Sequence, residues 1–394
     1  MKNLYFILFL VILWGSICCV ESSAQTYIDV PPGVGTLNDA IANDVRPQTD
    51  RNYRLKRGDK AYYLLTGSIS NIGYHLTIVA EDSAGARPFL QPLTPTGGES
   101  SRAFRPKGDL TLKGLHITGI DDLGGFPLRI IYCNADDIRL ELEDCWLDGD
   151  AQSAFRTENE NISIIVRNSI ISNIGQPGDP NNGRGIDDRG NNIDTVIFEN
   201  CTFFNITSRI IRDDGGWIKY CRFTNNTVVN TGQYAISFGE VGYLDMKDNL
   251  FMNAGFFPDD PEEDAYYVIG LEPIGTELSN LGITQQVNIS NSSFWLDTAK
   301  VQPYLGPRAV ISRLFNETAQ SEVNKGGTGA TILNEKVKFE DGPPFPELMI
   351  YYNFTPGEDR LNAPFWNIPD IPAGKFWHTV LYYDFDYMGN ATVT

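Results

Sequence analysis

Residues 200–205 read NCTFFN, and the phrase returns as DCWLDG from Asp144, NSIISN from Asn168, NNTVVN from Asn225, DNLFMN from Asp248 and NSSFW from Asn291. A looser copy, GLHITG, starts at Gly114. The template is Asn or Asp, two small or variable residues, an apolar β-former, then often Asn or Gly. The first residues of the full copies lie 24, 32, 25, 23 and 43 positions apart. A period in the low twenties broken by insertions is the mark of a stacked repeat. An alternating segment precedes the copies: IRLEL from Ile138, ISIIV from Ile162, TVIFE from Thr195, YLDM from Tyr243 and VNI from Val287. Positions i, i+2 and i+4 of such a run share a face, so each run buries an apolar row.

A unit this short leaves no room for a βαβ crossover, and no helical period lies between its strands. It fits one coil of a parallel β-helix, in which short strands are joined by tight turns. Asn or Asp at the head of each phrase suits a turn with left-handed backbone geometry, which these residues tolerate. Stacked coil on coil, Asp144, Asn168, Asn200, Asn225 and Asp248 should form one column. A leucine-rich repeat would need a leucine-dense pattern with a helical half. An antiparallel sandwich would not repeat one turn residue in register. The expected fold is therefore all-β, a right-handed parallel β-helix solenoid with a cap at each end. Thr36 with Asp39 three places on, followed by Leu37, Ala40, Ile41 and Val45, reads as a capped amphipathic turn or short helix closing the first coil. The phrase stops near Lys300. Residues 301–394, rich in Pro and aromatics between Gly342 and Tyr387, read as an irregular C-terminal cap, with 25–300 as the solenoid.

Met1 to Ala24 has the form of a secretory signal: Lys2, an apolar run from Leu4 to Trp14, and small residues at Ser22-Ser23-Ala24. The run is too short for a membrane span, and Ile17-Cys18 fits a lipid-attachment site poorly. The expected location is outside the cytoplasm, as a secreted protein. The net charge of −19 sets the surface against nucleic acid and anionic membrane. Cys145 and Cys201 hold the same place in their phrases with Ser169 between them. Two coils separate them, roughly 9.6 Å, beyond disulfide reach. Buried thiols are expected, and three histidines (His75, His116, His378) make no zinc-type cluster.

A second strand follows each phrase: PLRII from Pro127, AFRTE from Ala154, GIDDR from Gly185, IIRDD from Ile210 and AISFGE from Ala235. Aligned on Leu128, Phe155, Ile186, Ile211 and Ile236, the next outward position reads Arg129, Arg156, Asp187, Arg212, Ser237. Two places on, the row reads Ile131, Glu158, Arg189, Asp214, Gly239. Guanidiniums and carboxylates thus share one place on successive coils. Arg129 beside Arg156 calls for an anion over them or for pairing with Glu158. The alternative is a solvent-facing salt-bridge ladder, from which one member is lost at little cost in stability. Turn insertions at 175–184 and 255–264 flank this sheet and suit the walls of a cleft.

The opening VPPGVGTLNDAI from Val30, the LTIVAED strand from Leu76 and the repeated NCTF and NNTVVN phrases resemble secreted pectin-lyase-like β-helix proteins. Over roughly residues 27–300 the chain is most similar to the branch holding chondroitinase-B and alginate lyases. That resemblance implies an acidic polysaccharide as partner and β-elimination next to a uronate carboxylate. A basic residue takes the proton while a second cation, or calcium, neutralises the carboxylate. Carried onto this chain, Arg156 and Arg212 are the candidate base and carboxylate clamp, with Asp187 between them as a positioning group. Arg129, Arg189, Tyr234 and Glu158 are candidate substrate contacts, and Asp187, Asp213 and Asp214 the candidate calcium ligands. The chain departs from the pattern in lacking the Lys that chondroitinase-B-like enzymes pair with Arg. Pectin hydrolases of this fold use clustered aspartates, which Asp187, Asp188, Asp213 and Asp214 could imitate. An esterase needs two Asp and an Arg on the same sheet. The competing class is a glycan-binding or adhesion protein without catalysis, because the fold hosts both.

Overall fold

The computed structural model describes residues 26–58, 60–94, 102–123, 128–175, 182–213, 215–232, 235–254, 267–295 and 313–325, with short pieces at 332–333, 383–385 and 391–393. Alternation sets the local conformation first. In the strand Arg139–Glu143 (RLELE), Leu140 and Leu142 are buried while Arg139 is exposed. A turn follows at Asp144 with φ 53°. Its counterparts Asn168, Asn200, Asn225, Asp248 and Asn291 lie between 46° and 57°. That is the left-handed region, where Asn and Asp are the side-chain-bearing residues at least disadvantage. Most complete coils turn at this point and enter the next strand, as Trp146–Asp150, Ile170–Ile174, Thr202–Ile206, Thr227–Thr231 and Leu250–Ala254 do.

Stacking these coils builds three all-parallel sheets, of ten, eleven and seven strands among the described residues, the walls of a right-handed parallel β-helix. The first holds the strands that precede the Asn turn, the second those that follow it. The third holds Arg129–Cys133, Ser153–Thr157, Arg184–Asp187, Arg209–Arg212, Ile236–Ser237, Tyr267–Gly270 and Arg313–Phe315. Inward rows run the length of the stack. Leu147, Ile171, Phe203, Val228 and Phe251 occupy one register on the second sheet. Ile131, Phe155, Ile186, Ile211 and Ile236 occupy one on the third. All ten are buried in one continuous core.

The turn column forms as expected. The backbone N–H of Asp144 donates to the Arg167 carbonyl (3.2 Å), Asn168 to Glu199 (3.0 Å), Asn200 to Thr224 (3.1 Å) and Asn225 to Lys247 (3.1 Å), each one coil on. The next position is an inner ladder of Cys145, Ser169, Cys201, Asn226 and Asn249. Ser169 Oγ accepts from the Cys145 N–H (3.0 Å), Asn226 Oδ1 from Cys201 (2.8 Å) and Asn249 Oδ1 from Asn226 (2.9 Å). The side-chain amides of Asn226 and Asn249 donate to the Phe198 and Phe223 carbonyls (3.0 and 2.8 Å). Cys145 and Cys201 are free and buried, and burial pushes both thiols up to about 12.

At the N-terminal end the helix Thr36–Ala42 covers the first coil with Leu37 buried. Two details of the expected cap are corrected. Gly35, at φ 68°, precedes the first turn, and Thr36 is the first helical residue and makes no capping bond. Val45 lies beyond the helix and is 96% exposed, outside the packing face. Strand pairing continues past the last Asn phrase: Tyr267 pairs with Arg313 and Ser293 with Leu333. The aromatic segment 342–387 and the leader 1–24 fall almost wholly outside the described residues. No helix among the described residues is long and apolar enough to cross a membrane.

Candidate functional site

The third sheet carries the polar rows, and its register decides which side chains meet. Phe155 pairs with Ile186, and Ile186 with Ile211, so Arg156, Asp187, Arg212 and Ser237 fall in one outward row. The first coil is shifted from the expected alignment. Ile131, not Leu128, stands against Phe155, so the neighbour of Arg156 is Tyr132, and Arg129 pairs with Ser153. Adjacent apolar residues Ile130 and Ile131 made either phase readable, and packing against Phe155 selects the second. Glu158 correspondingly falls beside Asn134 rather than Ile131.

Asp187 is the hub of this row. It is fully buried and meets three guanidiniums: Arg184 Nη1 at 3.1 Å and Arg156 Nη1 at 3.3 Å on Oδ2, and Arg212 Nη1 at 3.4 Å on Oδ1. Arg156 is also gripped by Glu158, whose Oε1 accepts from Nε at 2.8 Å and from Nη2 at 2.7 Å. Gln152 Oε1 accepts from Arg156 Nη1 (3.2 Å) and Arg129 Nη2 (3.3 Å), which holds those two arginines at a common acceptor. Tyr132 Oη donates to Glu158 Oε2 at 2.5 Å. Burial works against the charged form of Glu158, but the Tyr132 and Arg156 contacts outweigh it and hold the carboxyl below its ordinary range. Burial, then the bond to Glu158, pushes the Tyr132 phenol up.

The expected solvent-exposed ladder is therefore corrected. The side chains of Arg156, Arg184 and Asp187 are 8%, 6% and 0% exposed, and Arg212, at 19%, is the most open of the four. A buried carboxylate among three guanidiniums is costly to break, unlike a rim pair. Among the described residues the three guanidiniums face the carboxylates of Asp187 and Glu158, in a chain of net charge −19.

One place further along, Asp188 and Asp213 sit on neighbouring coils, both buried. Burial, then the Asp188 charge and the carboxyl–carboxyl hydrogen bond, raise Asp213 to about 9, so the pair holds a proton at neutral pH. Asp213 also accepts from the N–H groups of Gly215 (3.3 Å) and Gly239 (2.9 Å). A side chain on Gly239 would place its Cβ 2.8 Å from the Asp213 carboxyl, so only glycine allows this approach.

Of the residues singled out from sequence, Arg156, Asp187, Arg212 and Glu158 are brought together, and Arg129 joins them through Gln152. Arg189 lies apart, exposed in a turn at φ 59°. Tyr234, Asp214 and most of both turn insertions lie outside the described residues. Of the candidate calcium ligands, Asp187 faces three guanidiniums, Asp213 lies against Asp188, and Asp214 is outside the described residues. Among the described residues no group of three or more His, Cys, Asp or Glu side chains is gathered as metal ligands would be. Sequence reading missed Arg184, Tyr132 and Gln152. Tyr132 was legible in the alternative phase. Arg184 reaches Asp187 from three residues back along the same strand, a contact that no strand period signals.

No protein-family model and no curated protein matches the chain. Among solved structures it is similar to one described as the structure of the PL6 family alginate lyase AlyGC. Identity is 16% and the TM-score 0.43, over 79% of this chain, which spans 39% of the length of that one.

Proposed function

We propose that this protein is a secreted polysaccharide-active protein that cleaves an acidic, uronate-containing polysaccharide by β-elimination on the third sheet. The observation that carries the reading is the convergence of Arg156, Arg184 and Arg212 on the single buried carboxylate of Asp187. An acidic protein attracts an anionic chain only where its field is locally reversed, and this group supplies such a reversal. Arg156, fixed by Glu158, Gln152 and Asp187, is pre-organised as the carboxylate clamp. Arg212, the most open of the four, is the residue that meets the reacting sugar.

In the reaction, the proton next to the carboxylate leaves to Arg212. Its electron pair becomes a carbon–carbon double bond, and the bond from the adjacent carbon to the glycosidic oxygen breaks. The leaving oxygen takes a proton from solvent. Negative charge builds on the carboxylate meanwhile, and the Arg156 guanidinium stabilises it there. No step is assigned to calcium.

The test is the absorbance of new unsaturated uronate ends on alginate, pectate and chondroitin. Accumulation on any of them, lost in Arg212→Ala, upholds the reading. Salt-sensitive binding without product on all three would make the protein a glycan-binding β-helix instead. Product formation unchanged in Arg212→Ala would move the base away from Arg212.

A further inference from the structure

Two coils before Asp187 lies a group of cations that the proposed reaction does not use. The Arg102, Arg129 and Arg105 guanidiniums stand 4.7, 5.3 and 5.5 Å from the centre of the Tyr132 ring. Phe104 bridges to Ile131, which puts Arg105 beside Tyr132 and extends the outward row to Arg105, Tyr132, Arg156, Asp187, Arg212.

We propose that Arg102, Arg105 and Arg129, gathered around Tyr132, form a second anion-binding subsite for another acidic substituent of the same polysaccharide chain. The inference rests on the functional reading above and adds a direction to it: the chain runs along the solenoid axis, over successive coils.

Charge balance is the first support. The carboxylate that acts on both Arg102 and Arg129 is Glu158, and Glu158 is already held by Arg156 and Tyr132. Burial, then the neighbouring arginines, press both guanidiniums below the ordinary arginine range. A bound anion would relieve that repulsion. Unused donors are the second support. Each guanidinium offers five N–H groups. Among the described residues Arg105 gives one hydrogen bond, to Asn134 at 3.2 Å, and Arg129 gives one, to Gln152 at 3.3 Å. Access is the third: Arg105 is exposed, and Arg102, Arg129 and Tyr132 are partly so. The Tyr132 ring holds the three cations at one place by cation–π contact, which limits the ordering cost of binding. At about 4.8 Å per coil, Tyr132 and Arg212 are about 14 Å apart, so a hexasaccharide reaches both and a disaccharide reaches one.

The experiment is calorimetric titration of the full chain at pH 6. The probes are hexa- and disaccharides of alginate, which carry carboxylates alone, and of chondroitin sulfate, which carry carboxylates and sulfate esters. The variants are Arg102→Gln with Arg105→Gln, Arg129→Gln alone, and Arg212→Gln. The double variant should bind a hexasaccharide about tenfold more weakly, with a shallower salt dependence, and a disaccharide nearly as the wild type does. A loss shared by both polymers identifies the second group as a carboxylate. A loss confined to chondroitin sulfate identifies a sulfate ester. Unchanged hexasaccharide affinity in the double variant, with its melting temperature retained, overturns the subsite and leaves the functional reading to stand on Arg212→Gln. If the wild type binds no probe, both fall. Should Arg129→Gln fail to fold, the variant carrying Arg102→Gln with Arg105→Gln still decides.

Discussion

The turn column and the third-sheet row are both built by stacking one position over successive coils, yet they solve opposite problems. In the turn column every coil needs the same thing, a residue that accepts φ near 50°, and Asn or Asp recurs at Asp144, Asn168, Asn200, Asn225 and Asp248. Identical amides are also good neighbours, because each both donates and accepts: Asn200 Nδ2 donates to Asn168 Oδ1 at 3.2 Å. In the third-sheet row identity would be unfavourable. Stacked guanidiniums repel, so the row alternates about the buried Asp187 as Arg156, Asp187, Arg212. Repetition there marks architecture, and broken repetition marks a site.

The largest effect expected from that difference is on turnover. Arg212→Ala should lower the rate of unsaturated-end formation by about two to four orders of magnitude, with little change in melting temperature because Arg212 is the most open member. A comparable loss of stability would reduce the row to architecture. Next comes Asp187→Ala, which leaves three guanidiniums facing one another and should cost about 3–5 kcal/mol in urea unfolding. A cost below 1 kcal/mol would mean that the buried row behaves as a rim ladder.

In the inner ladder, Asn226→Ala removes an acceptor from the buried Cys201 N–H and a donor from the Phe198 carbonyl. The expected cost is about 2–3 kcal/mol, with product formation, scaled to folded protein, retained. Asp213→Asn tests the carboxyl pair. A folded-state pKa raised to about 9 from 3.8 contributes stability that is fully present below pH 4 and is lost as pH rises through 9. The substitution should flatten the melting temperature between pH 4 and 9 and stabilise the protein by about 1–3 kcal/mol at pH 7. An unchanged pH profile would place the proton elsewhere. The smallest effect belongs to the outer column: Asn225→Ala should cost about 1–2 kcal/mol for its left-handed φ of 56° and Asn225→Gly nearly nothing. Equal costs for the two would show that the amide, not the backbone, holds that turn.

The sequence by itself determined the solenoid, because its physics is local and periodic. Alternation sends Leu140 and Leu142 inward, a left-handed φ selects Asn168 and Asn200, and the spacing of the phrases fixes which coil lies on which. It also placed Arg156, Asp187 and Arg212 in one row, by aligning Phe155, Ile186 and Ile211. Only the tertiary structure decided the rest. Adjacent Ile130 and Ile131 left the phase of the first strand open until packing against Phe155 put Tyr132, not Arg129, beside Arg156. Burial turned an apparently exposed ladder into an enclosed ion cluster, and set Asp213 against Asp188, which raises its pKa. Side-chain period tells which face a residue takes. Solvent access and charge partners depend on what the neighbouring coils bring, and a single strand does not encode that.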